Sequence, residues 1–132
     1  LRMAIEPEAA SLASAYSDDT VKMDAIAAAL ARMKKADAGE DDALAADIAF
    51  HCAILAASNN RFFFQLRDFI QVALRVSIAN TNQLKGVLNA SYDDHKKVYD
   101  AIAAGDGDQA AGYMKSLLIE ALDLINHSLS EK

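Results

Sequence analysis

Apolar residues recur every three to four positions along this chain. That is the repeat of an α-helix with one face turned to a core, not the two-residue alternation of a strand. Proline occurs once, at Pro7, glycine five times, and runs of β-branched residues are absent. Ala and Leu, strong helix formers, are abundant. The expectation is an all-α fold, an antiparallel bundle of about six helices with short connections. The 132 residues suffice for one domain with one core, and no repeat or low-complexity linker divides them.

The first helix is expected over about Leu1 to Tyr16, with Pro7 in its early turns or kinking it. It starts on an apolar residue without a cap, as a domain cut from a longer protein would. Ser17-Asp18-Asp19 supplies a cap for a second helix, which carries Val21, Ile26, Leu30 and Met33 before Ala38-Gly39 breaks it near Ala36. A third helix follows from about Asp41 to Ala57, then the cap-and-turn cluster Ser58-Asn59-Asn60. The fourth, about Arg61 to Leu84, is apolar nearly all round, from Phe62 through Ile70 and Leu74 to Ile78. Such a helix is expected to be buried on more than one side, as the centre of the bundle or part of a subunit interface. Lys85-Gly86 ends it. The fifth, about Leu88 to Ala104, has the stripe Leu88, Tyr92, His95, Tyr99 and Ile102, closed by Gly105. Asp106 and Gln109 resemble a capping box for the sixth helix. That helix is expected to bury Met114, Leu117, Leu118, Ala121, Leu122 and Ile125.

Charge narrows the function classes. The net charge is −6, with Lys and Arg scattered. A nucleic-acid surface needs a basic stripe, so this chain alone is not expected to bind DNA. No apolar run approaches the ~20 residues of a membrane span, and no signal peptide is evident. The single cysteine, Cys52, excludes an intrachain disulfide and fits a cytoplasmic location.

The residues that could carry chemistry are few. Asp47 and His51 stand one helical turn apart, on the same stripe as Leu44, Ile48, Ile54 and Leu55. Burying a carboxylate and an imidazole costs several kcal/mol, roughly, unless they find partners. His95 lies on the apolar stripe of the fifth helix. Spacing leaves two readings open: a satisfied core histidine with a helical Asp47–His51 hydrogen bond, or a metal site of two histidines and an aspartate. Arg2 and Glu6, four apart, read as a surface ion pair, and Arg75, amid apolar neighbours, as a clamp for an anionic ligand. His127, near the end of the last helix, reads as surface, and Cys52 as a small buried apolar residue. No nucleophilic triad, phosphate loop or paired-cysteine motif is present.

Several short pieces recur in a known order. They are Arg2-Met3-Ala4-Ile5-Glu6-Pro7, Asp47-x-x-Phe50-His51, Ser58-Asn59-Asn60, Asp94-His95, Ala101-Ile102-x-x-Gly105-Asp106, and Ala110 to Met114. Over essentially its whole length the chain resembles the FCD domain, the C-terminal effector-binding domain of FadR-type regulators in the GntR family. The resemblance implies an all-helical, homodimeric bundle behind a winged-helix DNA-binding domain that residues 1–132 do not contain. It implies a small carboxylate effector, such as a sugar acid or hydroxy acid, that changes DNA affinity. Many members hold a divalent metal, zinc or nickel, on Asp, His, His and a final His. The first three match Asp47, His51 and His95, whereas the fourth position is Leu117, so binding is expected to be weak or partial. The resemblance also makes Arg2 a candidate ligand clamp. Two alternatives stand beside this reading. One is a metal enzyme using the two histidines and the carboxylate, against which no motif positions a further acid or base. The other is a dimerisation module without a ligand.

Overall fold

The computed structural model describes residues 1–81 and 92–130, with side chains over 1–76 and 92–123. Among the described residues, seven helices are arranged as an all-α bundle: α1 (Arg2–Ser14), α2 (Thr20–Asp37), α3 (Ala43–Ala57), α4 (Arg61–Gln65), α5 (Arg67–Thr81), α6 (Tyr92–Ala103) and α7 (Gly107–Ser130). Lys85-Gly86, the expected ends at Leu84 and Leu88, and the side chains of Ile78, Ile125 and His127 lie outside the described residues.

Local chemistry sets the helix ends. Asp19 caps α2 by accepting from the Lys22 N–H, and Asp42 caps α3 by accepting from Leu44 and Ala45. Leu1 gives α1 no side-chain cap. Pro7 sits inside α1 and is buried; lacking an N–H, it gives the Met3 carbonyl no donor at the usual helical position. At the end of α6 the Asp106 N–H donates to Ala101 and the Gly105 N–H to Ile102, with Gly105 at φ 74°. That is the Schellman arrangement, and the same Asp106 then caps α7 through the Gln109 N–H. The turn folds α6 back on α7, as the turn after Gly39 folds α2 back on α3.

Alanines set the packing of α1. Ala9, Ala10 and Ala13 are buried, and α1 lies against α7, α3 and α6. Gly107 allows the close approach of α7, since a Cβ there would stand 2.7 Å from Ser11 Oγ and 3.3 Å from the Ser11 carbonyl oxygen. In α2 the buried stripe is Met23, Ile26, Leu30 and Met33. Val21 is 78% exposed, because the 3-4-3 spacing runs through Met23 instead.

The expected fourth helix differs most. Leu66, at φ −84° and ψ 2°, divides it into α4 and α5. Asn60 caps the short α4 by accepting from Phe62 and Phe63. Among the described side chains of both helices only Ile70 and Leu74 are buried. Four apart, they form one narrow stripe toward α3 and α7. Phe62, Phe69, Val72 and Val76 are exposed, so among the described residues the apolar helix is covered on one side only. Leu122 of α7 is likewise exposed rather than buried, while Met114, Leu117 and Leu118 are in the core.

Candidate metal centre

Three helices bring four titratable side chains into one interior. The caps above fix the register of α3, which turns Ala46, Phe50, Ile54 and Leu55 inward together with Asp47 and His51. From α6 comes His95, on the buried stripe with Val98 and Ile102. From α1 comes Glu6, on the stripe of Ala9, Ala10 and Ala13. Glu6 and His95 are each 1% exposed, His51 3% and Asp47 8%.

The groups form a continuous chain. Arg2 Nε donates to Glu6 Oε2 at 2.5 Å, and Glu6 Oε1 meets His51 Nδ1. His51 Nε2 lies 3.1 Å from Asp47 Oδ1, and His95 Nε2 lies 3.1 Å from that same oxygen. Phe50, fully buried, presses edgewise against both imidazoles, with ring centroids 5.4 Å from His51 and 4.9 Å from His95. One aromatic ring thus packs on both histidines in the edge-to-face geometry that aromatic pairs favour.

The electrostatics follow from the pairing. Burial alone would push the His51 imidazolium toward neutrality, but the Glu6 charge and the hydrogen bond to Asp47 raise its pKa from the ordinary 6.5 to about 9. Burial works against ionised Asp47 as well, yet hydrogen bonds from His51 and His95 hold its carboxyl far below the usual range. Glu6, whose burial would raise it, is held below its ordinary value by His51 and then by Arg2. An ion pair of this kind lets charges remain inside a core.

Asp47, His51 and His95 make a possible three-residue metal site, with donor atoms all within 4.8 Å of one another. The residues fit a divalent ion: two imidazoles and a carboxylate form a set that zinc and nickel accept. Both Nε2 atoms already point at one carboxylate oxygen, so an ion would replace N–H protons shared with Asp47. Among the described residues no other His, Cys, Asp or Glu joins the group. Leu117, at the place of the fourth ligand in the resemblance, is buried and has no donor atom.

Of the two readings that spacing left open, the Asp47–His51 hydrogen bond is present, and His95 adds a donor from another helix. Arg2 is connected to the cluster through Glu6 and also lines a cavity of about 250 Å³ between α1, α5 and α7. The cavity wall is otherwise apolar, formed by residues such as Met3, Phe69, Ala73 and Leu118, and none of Asp47, His51 or His95 lines it. Arg75 is exposed on α5 and lies outside that wall. Cys52 is half-buried, its thiol pushed up by burial. Glu6 is the residue that sequence reasoning misplaced as surface. Its spacing of three, four and seven from Ala9, Ala10 and Ala13 was the available signal, masked by the neighbouring Arg2. Phe50 was quoted only as part of a motif, and its contact with His95 required the packing of two helices.

Comparison with known proteins agrees over almost the whole chain. The model of the FCD domain family matches residues 1–120. The HTH-type transcriptional regulator LutR of Bacillus subtilis (strain 168) is 28% identical over 136 residues, an alignment that takes in 99% of this chain and 62% of that protein. The chain therefore spans less than two thirds of the length of this relative.

Proposed function

This chain belongs to the FCD domain family, and from that membership we propose that it is the effector-sensing, dimerising part of a bacterial transcriptional regulator that binds a small organic acid. The family and the relative mark it as a regulatory, non-enzymatic domain, which sets the metal-enzyme alternative aside. DNA contact falls to a winged-helix domain N-terminal to residues 1–132, in keeping with the HTH name of the relative and with the acidic charge here. A cytoplasmic location goes with that role, since a regulator must meet its DNA. Separately, no helix among the described residues is long and apolar enough to cross a membrane.

The observation that carries the reading is one buried cluster that joins three metal donors to an arginine on a cavity wall. Asp47, His51 and His95 would hold a zinc or nickel ion, weakly or partially because Leu117 gives no fourth donor. Bound there, the ion supplies an electrophilic anchor for a carboxylate. Arg2, on the neighbouring cavity wall, offers an anion a charge-assisted hydrogen bond of its own and is tied to the donors through Glu6. Arg75, exposed on α5, contributes a second cation where a longer anion or a partner subunit reaches it. The apolar residues left open on α5 and α7 support homodimerisation. Signalling requires that the effector bind one packing of the helices better than another.

A thermal-shift screen of hydroxy acids and sugar acids, with and without zinc, tests the reading. A hit should raise Tm, and Arg2→Ala should reduce the shift. Hits unaffected by Arg2→Ala would make the arginine structural, and no hit with or without metal would leave only the dimerisation module.

A further inference from the structure

Glu6 lies outside the three-donor set, yet it is as deeply buried as any member of the cluster. Both of its oxygens are committed: Oε1 to His51 Nδ1, Oε2 to Arg2 Nε. An imidazole offers a metal only one nitrogen, and the hydrogen bond at the other decides which. With Nδ1 engaged by Glu6, the nitrogen turned toward Asp47 and His95 is Nε2. We propose that Glu6 is a positioning residue of the metal centre, which fixes His51 as an Nε2 ligand and ties it to Arg2 on the cavity wall.

The inference rests on the metal reading above and adds a residue and a connection to it. A carboxylate suits this place because it presents two acceptors to two donors on opposite sides. An amide of the same shape cannot serve both. If its oxygen faces His51, its NH2 faces the Arg2 N–H, and if it is flipped, it opposes the imidazole N–H. Glu6→Gln therefore breaks one of the two links while keeping the volume of the core. A buried carboxylate behind a ligating histidine also raises the basicity of the ring and holds its plane. The connection to Arg2 runs through α1 alone, since residues 2 and 6 stand one turn apart. Whatever draws the guanidinium toward the cavity alters the acceptor that holds His51.

Zinc alone is the probe. Titration calorimetry compares the wild type with Glu6→Gln, and ring 15N spectra of the zinc-loaded wild type report which nitrogen of His51 is metallated. Expected are a 10–100-fold weaker zinc affinity in Glu6→Gln and, in the wild type, metal on Nε2 with a protonated Nδ1. Arg2→Met, which leaves Glu6 Oε1 in place, should weaken zinc less than Glu6→Gln does. The spectra need no variant, so they decide the matter even where Glu6→Gln unfolds. Zinc on Nδ1 of His51 overturns the proposal and leaves the metal site standing, as does an affinity within twofold in folded Glu6→Gln. A wild type that takes up no zinc overturns the metal reading and this proposal together.

Discussion

The interior between α1, α3 and α6 and the outer face of α5 invert the usual arrangement. Inside, Glu6, Asp47, His51 and His95 are almost wholly removed from water, and each is paired with a neighbour in the cluster. Outside, Phe69, Val72 and Val76 are 46%, 59% and 55% exposed. Chains normally bury such hydrocarbons and expose such charges. The cluster is costly unless every member keeps its partner, whereas the apolar face costs nothing in packing and is lost only to association. The first region is therefore sensitive to any single deletion, and the second should be indifferent to it until another molecule is present.

The sharpest way to break that contrast is Asp47→Ala. One oxygen accepts from both imidazoles, so the change takes an acceptor away from the Nε2 of each of two buried rings. Removing one partner of a buried ionic cluster costs about 3–5 kcal/mol. Urea unfolding in the presence of a chelator should show a loss of this size. A loss below about 1 kcal/mol, the scale of a surface pair, would mean that water reaches the site.

Acidity separates the regions next. In the metal-free chain the raised pKa of His51, about 9 against an ordinary 6.5, contributes stability that is fully present below pH 6.5. That contribution disappears as pH rises from 6.5 through 9. Asp47 and Glu6 are shifted the other way, so theirs is present above their ordinary values of 3.8 and 4.5 and is lost as pH falls further. Tm should accordingly be highest between about pH 4.5 and 6.5. In His51→Gln the decline between pH 6.5 and 9 should flatten, while substitutions on α5 should leave the profile unchanged.

Leu117→His tests the incompleteness of the donor set. Leu117 is a core residue of α7, a helix that packs on α6, the source of His95. The added imidazole should tighten zinc about 10–100-fold, on the scale by which neighbouring groups tune such sites, and His95→Ala should abolish binding. Nanomolar zinc in the wild type with no change in Leu117→His would place the fourth ligand elsewhere.

How much of this was legible differs between the same two regions. The helical class and the caps were readable because Asp19, Asn60, Gly105 and Asp106 act within four residues of their own position. Asp47, His51 and His95 were readable because each sits on an apolar stripe. The burial of Glu6 was not, since an Arg four residues away is also what a solvated helix displays. Nor was the exposure of α5, because an apolar residue reads the same whether its own chain or another covers it. The break at Leu66 escaped for a related reason: Phe63 and Leu66 are half-buried and keep a helical spacing, so the pattern continues across the joint.

The smallest expected effect on the protomer is the one that best isolates the outer face. Phe69→Ser with Val76→Ser removes two large apolar groups from α5, both already exposed, so no core cavity forms. Exposed substitutions usually change stability by less than about 0.5 kcal/mol. Far-UV circular dichroism and urea unfolding of dilute protein should therefore match the wild type. Association should not: the wild type is expected to run as a dimer by light scattering at micromolar concentration and the variant as a monomer, since an exposed apolar patch of this kind is what a self-complementary interface covers. Leu122→Ser on α7, also exposed and on the wall of the same cavity as Phe69, should weaken the dimer if the interface extends there. A wild-type monomer, or a variant dimer of unchanged strength, would locate the contact between copies away from α5.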